Sequence, residues 1–248
     1  MNISIWQSAP KWNDFQQNLS ELRLHLRAFE SKTDLLILPE MFTTAYMLLP
    51  EEISVDFTSI VTKIQSLIDE TGVSILGSTP MKTEIGYVNR AILWQPHLPI
   101  QHYDKIHLFS PAGEAEHYKA GEDIVNFDFK GLKIRPLICY DLRFPQLSFD
   151  GERYDILVYM ANWPFARISQ WTSLLVGRAI ENQVYTIGVN RVGSDENGYE
   201  YPGRSIVISF DGTTIKQLNT KTSITNLTLD LVSQNKYRMQ LPFYEDRK

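Results

Sequence analysis

Three side chains in this sequence, a thiol, a carboxylate and an amine, are together sufficient for acyl transfer. Cys139 is the only cysteine. It closes the run Ile134-Arg135-Pro136-Leu137-Ile138 and opens a polar and aromatic stretch, Tyr140-Asp141-Leu142-Arg143-Phe144-Pro145. Glu40 closes a second apolar run, Leu35-Leu36-Ile37-Leu38-Pro39. Lys105 lies between them in sequence, in Tyr103-Asp104-Lys105-Ile106-His107-Leu108-Phe109. Short apolar runs of this kind read as core strands, and open sheets present reactive groups where such strands end. A strand-to-helix turn after Cys139 would lower the thiol pKa and aim backbone N–H groups at developing negative charge. A carboxylate among apolar residues is partly desolvated, which raises its pKa and suits a general base. A lysine beside a thiol would favour first the thiolate and then an oxyanion.

Each residue also has an ordinary reading. A lone cysteine at a strand end is usually an inert buried side chain. Most glutamates belong to a solvated face, and a lysine can snorkel out of a loop. The five histidines offer a rival Cys–His pair, because His97, His102 and His107 share one irregular segment. No motif indicates which of them would face Cys139. Their spacing does not match helical metal ligation, and no Cys or His cluster completes a zinc site, so no metal is expected.

The elements that must position these groups follow from pattern. Asn2–Gln7 reads as a strand. Phe15, Leu19, Leu22, Leu26 and Phe29 mark an amphipathic helix, with Asn13 as its N-cap. Asp34–Pro39 is a strand. Phe57, Ile60, Ile64, Leu67 and Ile68 mark a second helix, closed by Thr71-Gly72. Val73–Thr79, Tyr87–Trp94, Ile134–Cys139, Asp155–Met160 and Val184–Val189 read as further strands, while residues 96–130 look irregular. Arg167–Glu181 reads as a helix burying Ile168, Trp171, Leu175 and Ile180. Arg204–Phe210 and Thr214–Leu218 flank the hairpin signal Asp211-Gly212, and Leu227, Leu229 and Leu231 alternate in a last strand. Early alternation of strands and helices, followed by hairpins, predicts an α/β fold: an α-β-β-α sandwich of two mixed sheets with helices outside.

With 248 residues, 43% hydrophobic, the chain suits one domain spanning 1–248. A net charge of −5 lacks the cationic footprint of nucleic-acid binding. One cysteine excludes an internal disulfide, and a reduced cytoplasm fits best. The segment Met1–Trp6 has neither a basic nor a long apolar region, and no stretch reaches membrane-spanning length, so no membrane association is expected.

Together the three segments resemble the nitrilase superfamily, the carbon–nitrogen hydrolases. Leu38-Pro39-Glu40-Met41-Phe42 looks like its base motif, Asp104-Lys105-Ile106-His107-Leu108-Phe109 its lysine motif, and Ile138-Cys139-Tyr140-Asp141-Leu142-Arg143-Phe144-Pro145 its nucleophile motif. Their order is the family's, and the likeness runs from Ile3 to the last strand. Glu114 fits a second family glutamate, with Glu116 close by as an alternative. Met160-Ala161-Asn162-Trp163-Pro164 and Arg178-Ala179-Ile180-Glu181-Asn182-Gln183 look like later signatures. Thr43-Thr44, Asn162-Trp163-Pro164 and Gly188-Val189-Asn190-Arg191-Val192-Gly193 are most similar to the omega-amidase branch, which hydrolyses the terminal amide of 2-oxoglutaramate and 2-oxosuccinamate. The likeness departs at Ala45, where glycine is expected, and at Arg204, where histidine is.

The resemblance implies amide hydrolysis through a Cys139 thioester without a cofactor. Glu40 would be the base, Lys105 and the Tyr140 backbone N–H would hold the oxyanion, and Glu114 would orient Lys105. Arg143 is a candidate clamp for a substrate carboxylate, unless it pairs with Asp141 or Asp155; Arg167 and Arg191 are the other arginines to consider. Tyr46 and Phe165 are candidate pocket walls. A homodimer is implied, burying Trp171 and the tail aromatics Tyr237, Phe243 and Tyr244 of residues 237–248 across its axis. Other readings are a carbamoylase or nitrilase of the same fold, or an idle homologue acting as a binding protein.

Overall fold

In the computed structural model, residues 1–28, 33–53 and 55–247 are described; Phe29 and Lys248 of the expectations above lie outside them. The order is β1 (Asn2–Gln7), α1 (Phe15–Ala28), β2 (Leu35–Ile37), α2 (Phe57–Thr71), β3 (Ser74–Thr83), β4 (Gly86–Trp94), β5 (Gln101–Asp104) and α3 (Glu114–His117). Then come β6 (Phe127–Phe129), β7 (Leu132–Ile138), α4 (Gln146–Phe149), β8 (Ile156–Ala161), α5 (Ile168–Asn182), β9 (Tyr185–Asn190), β10 (Val192–Ser194) and β11 (Glu200–Pro202). The chain ends with β12 (Ile206–Ile208), β13 (Thr214–Gln217), β14 (Ser223–Thr228) and α6 (Leu231–Gln240).

Two mixed six-stranded sheets stack face to face, ordered β14-β1-β2-β3-β4-β5 and β13-β12-β9-β8-β7-β6. Each has a parallel centre: β1-β2-β3 in the first and β7-β8-β9 in the second. The strand period of two sorts side chains between two cores. Ile3, Ile5, Leu35, Ile37, Leu76, Ala91 and Leu93 face the second sheet. Their sequence neighbours Trp6, Leu36, Leu38, Ile75, Ile92 and Trp94 pack instead with Leu22 and Leu26 of α1 and Ile60, Ile64 and Leu67 of α2. On the second sheet, α5 supplies Trp171, Leu175 and Ala179. The result is the expected α-β-β-α sandwich.

Some expectations change in detail. The N-cap of α1 is Asp14, whose side chain accepts from Gln17 N at 3.0 Å; Asn13 is in the left-handed region, and its amide donates to Glu52 O instead. Residues 96–130 contain β5, α3 and β6, strands too short to show a period. Ile180 faces outward, half exposed, where it lies over Gly212. Leu231 begins α6 rather than ending a strand, because Asp230 caps a helix there through Ser233 N. Trp171 is fully enclosed within one chain, against Trp163, so it has nothing left to bury in a partner. Within the chain, Tyr244 Oη donates to Gly151 O, and Arg247 donates to Phe149 O and Glu181 O, while the Phe243 ring stays mostly exposed.

Candidate active site

Each reactive group stands just beyond the C-terminal end of a parallel or neighbouring strand. Glu40 follows β2, Lys105 is the residue after β5, Cys139 the residue after β7, and Asn162 the residue after β8. The chain turns off these strands through left-handed backbone. Met41 has φ 48° and Cys139 φ 45°, a region that strains L-residues and is typical of functional sites. The first turn is pinned by Met41 N to Ser78 Oγ (2.9 Å) and Phe42 N to Ser78 O (3.1 Å). Cys139 then opens a 3-10 turn, Cys139–Arg143, rather than a long helix.

Glu40, Lys105 and Glu114 form a buried ion cluster. Lys105 Nζ donates to Glu40 Oε1 at 2.8 Å and to Glu114 Oε1 and Oε2 at 3.0 and 2.9 Å. All three side chains are essentially without solvent contact. Burial disfavours the ammonium, but Glu114 and then Glu40 outweigh it and hold the Lys105 pKa well above its ordinary value. Burial raises the pKa of Glu114, against the pull of Lys105. Glu40 is held by two further residues: Asn89 Nδ2 donates to Oε1 (2.8 Å), and Asn162 donates to Oε2 through its backbone N (2.9 Å) and Nδ2 (3.1 Å). Glu116 is exposed and takes no part.

The thiol of Cys139 is oriented toward Asn162 O at 3.9 Å. Burial, reinforced by the Glu40 charge, pushes its pKa well above the ordinary value; Lys105 opposes this without prevailing. The expectation of a lowered thiol pKa is therefore corrected. The turn after Cys139 is too short to supply a helix field, and the Glu40 carboxylate acts on the thiol more strongly than Lys105 does.

Asp141 ties the nucleophile turn to the lysine segment. Its Oδ2 accepts from Ile138 N and Tyr103 Oη, and its Oδ1 accepts from His107 N, at 2.8–2.9 Å. It is thus unavailable to Arg143, and Asp155 instead meets Arg238 and Lys133. Arg143 donates to Gln170 Oε1 at 2.6 Å and lies over the Trp163 ring at 5.0 Å.

A small cleft brings these groups together, lined by Glu40, Tyr46, Lys105, Cys139, Tyr140 and Arg143, with Asn162, Trp163, Arg167, Phe109 and Tyr201 around them. Phe165 does not line it. The Phe165 ring is largely exposed and borders a neighbouring open depression with Tyr201 and Thr220. Arg191 is buried behind Tyr201, bonded to Val192 O and Ser194 O. No histidine lines the cleft; His107 stacks on Phe144 at 3.5 Å, outside it. Among the described residues, no cluster of His, Cys, Asp and Glu is arranged to hold a metal ion.

The model of the carbon–nitrogen hydrolase family matches residues 2–238. The chain belongs to that family. It is 37% identical to the omega-amidase YafV of Yersinia enterocolitica over 247 residues, covering 99% of this chain and 96% of that protein. It is 29% identical to the 2-oxoglutaramate amidase of Bacillus subtilis, over 98% and 96% of the two chains. Its fold superimposes on XC1258 from Xanthomonas campestris, a CN-hydrolase superfamily protein with an arsenic adduct in the active site, at a TM-score of 0.95 and 34% identity, covering 100% and 97%.

Within this carbon–nitrogen hydrolase, sequence reading missed Asn89, Phe109 and the roles of Asp141 and Asn162. Asn89 and Asp141 act through hydrogen bonds across strands, which no local pattern records. Asn162 was visible as part of a signature but not as a ligand of Glu40. At the departure from the family pattern, Ala45 has φ 59°, the region where glycine is at ease; Arg204 likewise has φ 58°.

Proposed function

We propose that this protein hydrolyses the terminal amide of small 2-oxo acid amides, such as 2-oxoglutaramate and 2-oxosuccinamate, through a Cys139 thioester. Its relatives by name and its family make it an enzyme of the amidase type. The observation that carries the finer reading is the buried Glu40–Lys105–Glu114 cluster sharing one cleft with Cys139.

In this mechanism Glu40 takes the thiol proton, and the thiolate attacks the amide carbon. The backbone N–H of Tyr140, with Lys105, holds the oxyanion, a contribution on the order of 3 kcal/mol in comparable sites. Ammonia leaves with a proton returned by Glu40. The same carboxylate then activates water to hydrolyse the thioester. A thiol that is neutral at rest fits a base-assisted attack, because the proton moves only when a substrate is present. No cofactor enters these steps. Glu114 keeps Lys105 charged and in place.

Arg143 and Arg167 border the cleft, and neither has an acidic partner among the described residues. A substrate carboxylate would supply one, and Arg143 can grip it with two parallel N–H bonds. Tyr46 and Trp163 are walls of the cleft. The same reading includes a homodimer in the cytoplasm. Val232 and Met239 on α6 and Phe243 beyond it are apolar and mostly exposed, which supports a partner on that side. Among the described residues, no helix is long and apolar enough to cross a membrane.

The test is ammonia release from a panel containing 2-oxoglutaramate, 2-oxosuccinamate, an N-carbamoyl amino acid and a nitrile. Turnover of the 2-oxo acid amides far ahead of the others is expected. Preference for the carbamoyl compound or the nitrile would replace the substrate assignment, and silence on every compound would leave a binding protein. Sedimentation of the purified protein as a monomer would remove the dimer.

A further inference from the structure

The hydroxyl of Tyr46 is buried and has no hydrogen-bond partner. Leaving such a group unpaired costs about 1–3 kcal/mol, so its retention needs a reason. Tyr46 lines the cleft with Glu40, Lys105 and Cys139. The titratable groups that act on its hydroxyl are those of the site itself: Glu114, Lys105 and Glu40, with Cys139 after them. Tyr118, its neighbour in the same small cluster, is different, since its hydroxyl donates to Met47 O at 2.6 Å.

A second observation comes from Lys105. An ammonium has three N–H donors. In the resting site all of them are engaged, one with Glu40 Oε1 and two with the carboxylate of Glu114. Lys105 can reach a new oxyanion only by releasing a carboxylate oxygen. The Tyr46 hydroxyl has nothing to release.

We propose that the Tyr46 O–H donates a hydrogen bond to the oxyanion formed when Cys139 adds to the substrate's acyl carbon. The sulfur lone pair forms the S–C bond, and the C=O π pair moves onto oxygen. Tyr46 donates to that oxygen and keeps its proton. When the C–N bond breaks, the pair returns to re-form C=O, and the hydroxyl is free again. Burial, reinforced by Glu114, holds the Tyr46 pKa well above its ordinary value, so the group remains a donor through the neutral range. The role rests on the amide-hydrolysis reading for its substrate, but the oxyanion can be probed without turnover.

The probe is 4-oxobutanoate labelled with carbon-13 at its aldehyde carbon. Addition of the Cys139 thiol gives a hemithioacetal whose oxygen occupies the oxyanion position, and titration followed by NMR gives its affinity. Wild type should bind at least about tenfold more tightly than Tyr46→Phe, the size expected of one lost hydrogen bond. Tyr46→Phe should melt no lower than wild type, because its hydroxyl has no bond to lose. Tyr118→Phe should melt lower yet keep wild-type affinity. Equal affinity in wild type and Tyr46→Phe overturns the role. So does the absence of any adduct in wild type, or an equal loss in both variants. On an amide that wild type turns over, Tyr46→Phe should lose roughly 10²-fold in kcat with KM nearly unchanged; a rise in KM alone would place the hydroxyl on the bound substrate and overturn it. If the aldehyde pattern holds and no amide is hydrolysed, the amidase reading fails while the donor stands.

Discussion

Four groups in one small volume make every ionisation in this site depend on its neighbours. The thiol is held neutral by burial and by Glu40, and the ammonium is held charged by Glu114 and Glu40. If Cys139 is the nucleophile, Cys139→Ala should abolish ammonia release while leaving the melting temperature near that of wild type; release at the wild-type rate would sink the thioester. Glu40→Gln should lose about 10²–10⁴-fold in turnover, the usual worth of a general base. It also makes a second, opposite prediction. Because the Glu40 charge raises the thiol pKa, its removal should lower that pKa. The pH profile of Cys139 alkylation by iodoacetamide should therefore shift to lower pH in Glu40→Gln, with more thiolate at any given pH and less catalysis. An unshifted profile would mean that the carboxylate and thiol do not sense each other.

At the scale of elements, the site depends on how strand ends are fastened. Lys105 is held at the end of β5 by Lys105 N to Asn89 O (2.9 Å) and by Gly121 N to Lys105 O (2.9 Å). Gly121 packs so closely that an added Cβ would come within 2.2 Å of Asp104 O, a backbone atom with little freedom to yield. Gly121→Ala should thus displace the lysine segment. Both the melting temperature and kcat should fall, and a variant with wild-type kcat would show that the strand end tolerates movement. The cap of α1 is remote from this machinery. Asp14→Ala should cost about 1 kcal/mol of stability, measured by denaturant unfolding, without changing kcat. Loss of activity there would tie α1 to the site through contacts not yet identified.

At the scale of the molecule, the cleft is made by residues from both sheets. Glu40 and Lys105 come from the first sheet, and Cys139, Arg143 and Asn162 from the second or its loops. Asp141 and Asn162 hold the two halves in register through Tyr103, His107 and Glu40. Substrate selection belongs to this scale, because the far end of a short substrate must meet a group from another layer. Arg143→Lys keeps the charge but loses the planar fork. It should lower kcat/KM for 2-oxoglutaramate more than for a neutral amide of equal length. Equal losses would mean that Arg143 only props Gln170 and Trp163, and Arg167 would become the clamp.

The sequence by itself determined the strands of the parallel centres, the two long helices on the first sheet, and the positions of Glu40 and Cys139 at strand ends, while Lys105 was legible only as a lysine among apolar residues in an irregular segment. These follow from local periodicity and from the contrast between an apolar run and the polar residue that closes it. It also marked Gly72 as a helix terminus, and the left-handed φ of 73° there agrees. Tertiary structure alone decided the rest. Whether Glu114 or Glu116 meets Lys105 is a question of which side of one short turn faces inward, and both lie on it. That the thiol is neutral at rest follows first from its burial and then from the carboxylate of Glu40, 99 residues away in sequence. Phe165 and Tyr46 look alike as aromatic wall candidates, yet one is exposed and the other is buried beside the ion cluster. Burial and hydrogen-bond partners are properties of distance in space, and a pattern read along the chain contains them only where neighbours in sequence are also neighbours in the fold.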